Sequence, residues 1–293
     1  MIQRYAFAAM GTRFELLLEA PPCARAVAAL GIAASEVQRL EALLSRFRPD
    51  SELSRLNASG RLAVGDDLLR LTQLALAARE RTAGRFDPTV HNALAAAGYD
   101  RSIELVRAGS RSHGTRAVPA SGGRVTVDAA AGVIELEPGY ALDLGGIAKG
   151  YAADSACRLL AAAGACLVNA GGDIAVSGPP ADGSWPVGVE TARAPLVLAL
   201  TEGALATSGT EGRRWRHDGR ELHHLIDPRT SRPAETDLCR VTVAAPAAVD
   251  AEVEAKALLL AGARAALAMA EGRGLRAVLV TAAGRTLLTG GLR

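Results

Sequence analysis

The chain has 293 residues, 49% hydrophobic and 22% charged, with a formal net charge of +2. That is a globular composition with enough chain for a sizeable core, and the dispersed arginines give no nucleic-acid or membrane-surface signal. Aromatics are only 3%, so the core is expected to be aliphatic. No run of about 18 apolar residues marks a membrane span. The start, MIQRYAFAAMGTRFEL, lacks a signal peptide's long apolar core and a lipoprotein cysteine, so a cytoplasmic protein is the simplest expectation, with a removed export signal as the alternative. Cys23, Cys157, Cys166 and Cys239 have no metal-like spacing, and Cys157 and Cys166 read as buried thiols.

Residues 4–19 read as two strands around Met10-Gly11-Thr12, with Phe14, Leu16 and Leu18 in period-2 alternation. Residues 24–47 form a long Ala- and Leu-rich helix that stops before Pro49. A polar loop follows over 45–57, with a helical turn after Ser51. A second helix spans 66–82, capped by Asp66 or Asp67. A helical turn starts at Pro88, and residues 101–123, rich in Arg, Ser and Gly, read as surface loop. Residues 125–144 read as three short strands, VTV, VIEL and YALDL. In the helix carrying Lys149, Asp154 and Arg158 form an outer-face i,i+4 pair. Strands are expected near 174–177, 186–190, 196–201, 204–207 and 241–244. A helix capped by Asp250 then runs to about residue 271, with Glu252 and Glu254 in its first turn, before a terminal hairpin over 275–289. Antiparallel strands mixed with long helices, without repeat or linker, predict one α+β domain over residues 1–293.

The most chemically informative stretch is residues 141–154, ALDLGGIAKGYAAD: a short apolar strand, a turn through Gly145 and Gly146, and a helix with Lys149 in its first turn. A helix N-terminus presents unpaired N–H groups and partial positive charge, which suits a phosphate. A second glycine turn, Asn169 to Asp173 (NAGGD), follows another strand-like run. The two could surround a phosphorylated ligand, or be two tight turns in an α/β domain. Neither the Walker spacing nor G-x-G-x-x-G is present.

Met10-Gly11-Thr12, the Ser45 loop, FDPTV (86–90), DLGGIAKG (143–150), NAGGD, ATSG (206–209) and HLIDPRT (224–230) occur in an order that resembles the ApbE family of FAD:protein FMN transferases. The likeness covers residues 10–262. It implies a T-fold-like α+β architecture of mixed and antiparallel sheets with long packed helices, and FAD in a cleft between two halves. It implies Mg²⁺-dependent transfer of the FMN moiety of FAD to a threonine hydroxyl of an acceptor protein, with AMP released. Related outcomes are FAD hydrolysis to FMN and AMP, or flavin binding and storage without transfer. A reading outside the family is an α/β protein for another nucleotide.

On this resemblance Met10 and Thr12 contact the flavin region. Phe47 stands where the family commonly has a tyrosine against the isoalloxazine ring. Asp87 holds cleft geometry or meets the adenosine side. Asp143, Gly146, Ala148 and Lys149 line the pyrophosphate and metal end. Asn169, Gly171, Gly172 and Asp173 form a second wall, and Thr207, Ser208 and Gly209 line the cofactor. His224 and Asp227 face the reacting phosphate, although Asp227 before Pro228 is equally a loop-forming aspartate. His224, with an ordinary pKa near 6.5, suits deprotonation of the threonine, and Asp143 is the rival base. His91 reads as a helix-surface residue or as an extension of the FDPTV cleft wall, and His113 and His217 as solvated.

The family's metal position, Asp-Ala-x-x-Thr at the start of the last long helix with a backbone carbonyl near AKG, maps to Glu252 and Ala148. Lys256 stands at the threonine. Glutamate still suits Mg²⁺, whereas a protonated lysine cannot ligate it, though its charge could partly substitute. Sliding the register to Asp250 would put Glu254 at the threonine position. Thr210 stands where an acidic residue is expected, and Ser231 where glycine is usual.

Overall fold

The computed structural model describes residues 1–109, 121–217 and 219–292; His113 lies outside them. β1 (Ile2–Ala9) and β2 (Thr12–Glu19) pair antiparallel through a Met10-Gly11 turn. Both turn residues have positive φ, 51° and 64°, the geometry whose twist matches a two-residue hairpin. α1 (Ala24–Leu44) ends three residues before Phe47. α2 (Glu52–Ser59) is capped by Ser51, whose hydroxyl accepts from Ser54 N at 3.0 Å. After β3 (Arg61–Ala63), α3 (Asp66–Arg81) starts from Gly65, so Asp66 and Asp67 are first-turn acids and not caps. α4 (His91–Ala96) and α5 (Ile103–Arg107) follow, the latter inside the expected loop.

β4 (Val125–Asp128) and β5 (Val133–Leu136) pair with each other, and β5 also with β3. The expected third strand at YALDL does not form. The Asn57 side-chain amide takes Leu142's backbone instead, donating to its carbonyl at 2.9 Å and accepting from its N–H at 2.8 Å. Those backbone groups are satisfied without a strand partner. Next come α6 (Ala148–Ala161), β6 (Cys166–Ala170), β7 (Asp173–Ser177), β8 (Trp185–Val189), β9 (Leu196–Leu200) and β10 (Gly203–Gly209). The short strands β11 (Arg214–His217), β12 (Arg220–His223), β13 (Ile226–Asp227) and β14 (Arg232–Pro233) lead to β15 (Leu238–Ala245). The single helix expected from Asp250 is two, α7 (Ala248–Ala261) and α8 (Ala263–Gly272), separated at Gly262. α7 begins at Ala248, so Glu252 and Glu254 lie beyond its first turn. β16 (Arg276–Thr281) and β17 (Thr286–Leu288) close the chain as the expected hairpin.

The chain groups into two compact units, each interrupted in sequence. The first, Met1–Glu41, Ile147–Gly209 and Asp237–Arg293, holds an antiparallel sheet in the order β1-β2-β6-β7-β10-β15-β16-β17. α6 packs on β6 and β7, and α7 on β10 and β15. On the opposite face the β8–β9 ribbon sets Trp185, Val187 and Val189 against Leu167, Ile174, Val176 and Leu205. α7 is buried on nearly every side, which its apolar sequence suits. Its three first-half charges are therefore the unusual feature.

The second unit, Ala42–Gly146 and Thr210–Thr236, contains α2 to α5, the β3-β5-β4 sheet and the β11–β12 and β13–β14 ribbons. Its core gathers Leu94, Tyr99, Ile103, Val106, Trp215 and Ile226. Among the described residues no helix is long and apolar enough to cross a membrane.

Candidate functional site

In the first unit a buried charge cluster forms where α6 crosses α7. Lys149, the second residue of α6, is ion-paired through Nζ with Asp173 at the start of β7 and with Glu252 of α7. Lys256, one turn on from Glu252, reaches the same Glu252 Oε1 at 3.0 Å. Glu252 Oε2 accepts from Gly150 N at 2.8 Å. Burial works against each charge. For Lys149 the Asp173 and Glu252 carboxylates outweigh it and hold the pKa above its ordinary value. For Glu252 burial is outweighed by Lys149 and Lys256, which bring it down to about 2. Burial, with Lys149 beside it, keeps Lys256 below its ordinary value.

The crossing depends on two residues of α6. A Cβ on Gly150 would stand 2.5 Å from the Ala248 carbonyl oxygen, so only glycine permits this approach. Asp154, expected on the outer face, instead accepts from Ala248 N at 2.9 Å and Val249 N at 3.0 Å. It caps α7, whose own N-cap position is Ala247 and offers no side-chain bond. Burial pushes the Asp154 carboxyl up despite these bonds.

Two tight turns lie beside the cluster. Met10 holds a left-handed φ of 51°, and its N–H donates to Glu41 Oε1 at 2.6 Å. The β6–β7 turn is Gly171-Gly172, both at positive φ, with Asn169 Oδ1 accepting from Gly172 N at 2.8 Å. A Cβ on Gly171 would stand 2.0 Å from Thr12 Oγ1, so the two turns pack closely against each other. Thr207 and Ser208 do not present one lining. Adjacent strand residues face opposite sides. Leu205 lies in the ribbon-side core, so Thr207 shares the ribbon side and Ser208 takes the helix side, as does Asp173. Thr207 Oγ1 bonds its cross-strand partner Thr242 at 2.8 Å.

In the second unit Asp143 is tied down on both oxygens. Arg46 Nε lies 2.7 Å from Oδ2, and Gly145 N donates to Oδ1 at 2.8 Å. Gly145 and Gly146 form the turn that leads into α6. The Arg46 guanidinium lies 4.2 Å from the Phe47 ring centroid and 4.6 Å from that of Tyr99. Phe47 is 40% exposed, with the Arg46 cation over its ring and Tyr99 beside it at a centroid distance of 5.7 Å. His91 is half-buried: burial pushes its pKa down, Asp143 opposes this, and Arg46 adds to it. Neither Arg46 nor His91 carried a sequence signal beyond nearness to Phe47 and FDPTV.

Asp87 holds its loop through Oδ1, which accepts from Thr89 N at 2.8 Å and Thr89 Oγ1 at 2.7 Å, while Oδ2 lies 3.5 Å from Arg79 Nε of α3. Asp227 takes the loop-forming role, accepting from Arg229 N at 3.0 Å and Arg229 Nη2 at 2.7 Å. Ser231, where glycine is usual, has a left-handed φ of 53°, and its hydroxyl accepts from Ser121 N at 3.0 Å. His224 is half-buried just after β12, and His217 is half-buried at the end of β11.

The donors around Glu252 do not fit Mg²⁺. That ion demands oxygen ligands in near-octahedral array. Here Glu252 Oε1 carries two ammonium groups, Oε2 carries a backbone N–H, and Asp173 is paired with Lys149. Among the described residues no group of three His, Cys, Asp or Glu is arranged to hold a metal. The Glu252 carboxylate, expected with Ala148 to hold the metal, is already paired with Lys149 and Lys256.

Fold and cluster together define an α+β protein with a buried lysine at a helix start flanked by glycine turns. The model of the ApbE family matches residues 10–279, across both units, and the chain belongs to that family. It is 33% identical over 271 residues to a Treponema pallidum protein named FAD:protein FMN transferase, covering 82% of this chain and 73% of that one. An Escherichia coli K12 protein of the same name is 30% identical, over 84% of this chain and 75% of that one. The crystal structure of the ApbE protein from Thermotoga maritima superposes with a TM-score of 0.85 at 26% identity, covering 99% of this chain and 97% of that one.

Proposed function

We propose that this chain, acting as one ApbE-like domain, transfers the FMN moiety of FAD to a threonine hydroxyl of an acceptor protein. The threonine oxygen bonds to the flavin-side phosphorus, the pyrophosphate bond breaks, AMP leaves, and the threonine proton passes to a base. The names of the relatives support the activity. The observation that carries it to this chain is the Lys149 cluster. An ammonium has three N–H donors, and two here meet carboxylates, which fix the third for a pyrophosphate oxygen. Met10, Thr12 and Phe47 are assigned to the flavin. His224 is the favoured base, because both Asp143 oxygens are engaged.

The test is incubation with FAD and a threonine-bearing acceptor domain, reading AMP by chromatography and acceptor mass. AMP equimolar with flavinylated acceptor, lost in His224→Ala, is the expected result. AMP with only free FMN would replace transfer by FAD hydrolysis. Bound FAD without AMP would leave a flavin-storage protein, and no flavin absorbance shift would leave another nucleotide as ligand.

A further inference from the structure

The cluster around Glu252 balances its own charge. Lys149 and Lys256 supply two positive charges, and Asp173 and Glu252 two negative ones. Side-chain exposures are 14% for both lysines, 3% for Asp173 and 1% for Glu252. Burying charge without a partner is costly, so such groups stay paired. A divalent ion could take Glu252 only by displacing Lys256, Lys149 or both. Each displaced ammonium would then lie buried beside a new positive charge. Lys256 is also anchored by its own helix, because residues four apart on α7 share a face.

We infer that the Lys256 ammonium, seated on Glu252 beside Lys149, is the resident cation of this site and excludes a divalent ion from it. If the flavin-transfer reading holds, on which this second half rests, the reaction also runs without divalent metal. Lysine then supplies the charge neutralisation that phosphoryl transfer requires.

The first experiment needs no turnover. Mn²⁺ is titrated into the full-length protein, and the free-ion electron paramagnetic resonance signal is followed alongside the melting temperature with and without Mg²⁺. The expected result is an undiminished free-Mn²⁺ signal and no Mg²⁺-dependent shift. Lys256→Thr should take up Mn²⁺, whereas Lys256→Arg, which keeps the charge, should not. Stoichiometric Mn²⁺ binding by the unaltered protein would overturn the inference. If Lys256→Thr fails to fold, the unaltered protein and Lys256→Arg still decide it.

AMP release from FAD is then compared in EDTA and in Mg²⁺. Rates within about twofold support metal-free transfer, and a loss in EDTA of more than about tenfold, restored by Mg²⁺, overturns it. No AMP in either buffer would sink the transferase reading, while the Mn²⁺ titration would still decide the resident cation.

Discussion

Gly150 of α6 lies against Ala248 of α7 with no room for a methyl group, since a Cβ there would meet the Ala248 carbonyl oxygen at 2.5 Å. The same glycine donates its N–H to Glu252. The close crossing therefore brings together Lys149 on one helix and Glu252 and Lys256 on the other. Gly150→Ala should cost about 1–3 kcal/mol by overpacking against rigid backbone. Urea unfolding reads this as a lower midpoint with an unchanged slope. A midpoint equal to that of the unaltered protein would mean the helices separate freely at this point.

Arg46 should be needed for the stability of the second unit. Its guanidinium pairs with Asp143, with both side chains 7% exposed, and donates to the Tyr99 carbonyl at 2.7 Å. Arg46→Met leaves the Asp143 carboxylate buried without its cation, a loss of about 3–5 kcal/mol. Adding Asp143→Asn should recover part of that loss. Thermal unfolding of the single and double variants checks it, and additive losses would refute the pairing argument.

Met10 should trade stability against flavin binding. A non-glycine residue in the left-handed region costs about 1–2 kcal/mol, and Met10 sits there at φ 51°. Met10→Gly should raise the melting temperature and weaken FAD binding. A raised melting temperature with unchanged FAD affinity would remove Met10 from the flavin contacts.

Acid should destabilise the protein in two stages. Burial holds His91 and His223 below their ordinary 6.5. Between those depressed values and 6.5 the unfolded chain binds more protons, so stability falls as pH drops below about 6.5. Glu252 sits at about 2 against an ordinary 4.5. Its contribution, on the order of 3 kcal/mol, is complete above about 4.5 and is lost as pH falls from there through about 2. Unfolding midpoints measured from pH 7.5 to 3 should show both declines, partly offset by Asp154 and Asp173, whose burial-raised carboxyls take up protons in the folded state first. Glu252→Gln should be less stable at neutral pH and flatten only the lower one.

Much of the architecture was legible in the sequence because it depends on local pattern. The period-2 run of Phe14, Leu16 and Leu18 gave β2, with all three fully buried. Gly11 and the Gly171-Gly172 turn fell where tight hairpins require positive φ, and the ordered motifs identified the family that the match over residues 10–279 establishes. Lys149 was legible as well, since a lysine after two glycines at a helix start is a local signal.

The partners of those residues were not. YALDL has strand-like composition, yet Asn57, far away in sequence, satisfies its backbone. The last long helix breaks at Gly262, where Asp237 accepts from Ala263 N at 2.7 Å, and α7 is capped by Asp154 of another helix. Caps supplied from elsewhere leave no mark beside the helices they start. Glu252 looked like a metal ligand in one dimension, because it falls at the family's Asp-Ala-x-x-Thr metal position. Residue order alone determined the family, the antiparallel sheet and the position of Lys149. Tertiary structure alone decided that the Glu252 carboxylate belongs to two lysines, because burial makes every charge depend on neighbours that only the fold brings within reach.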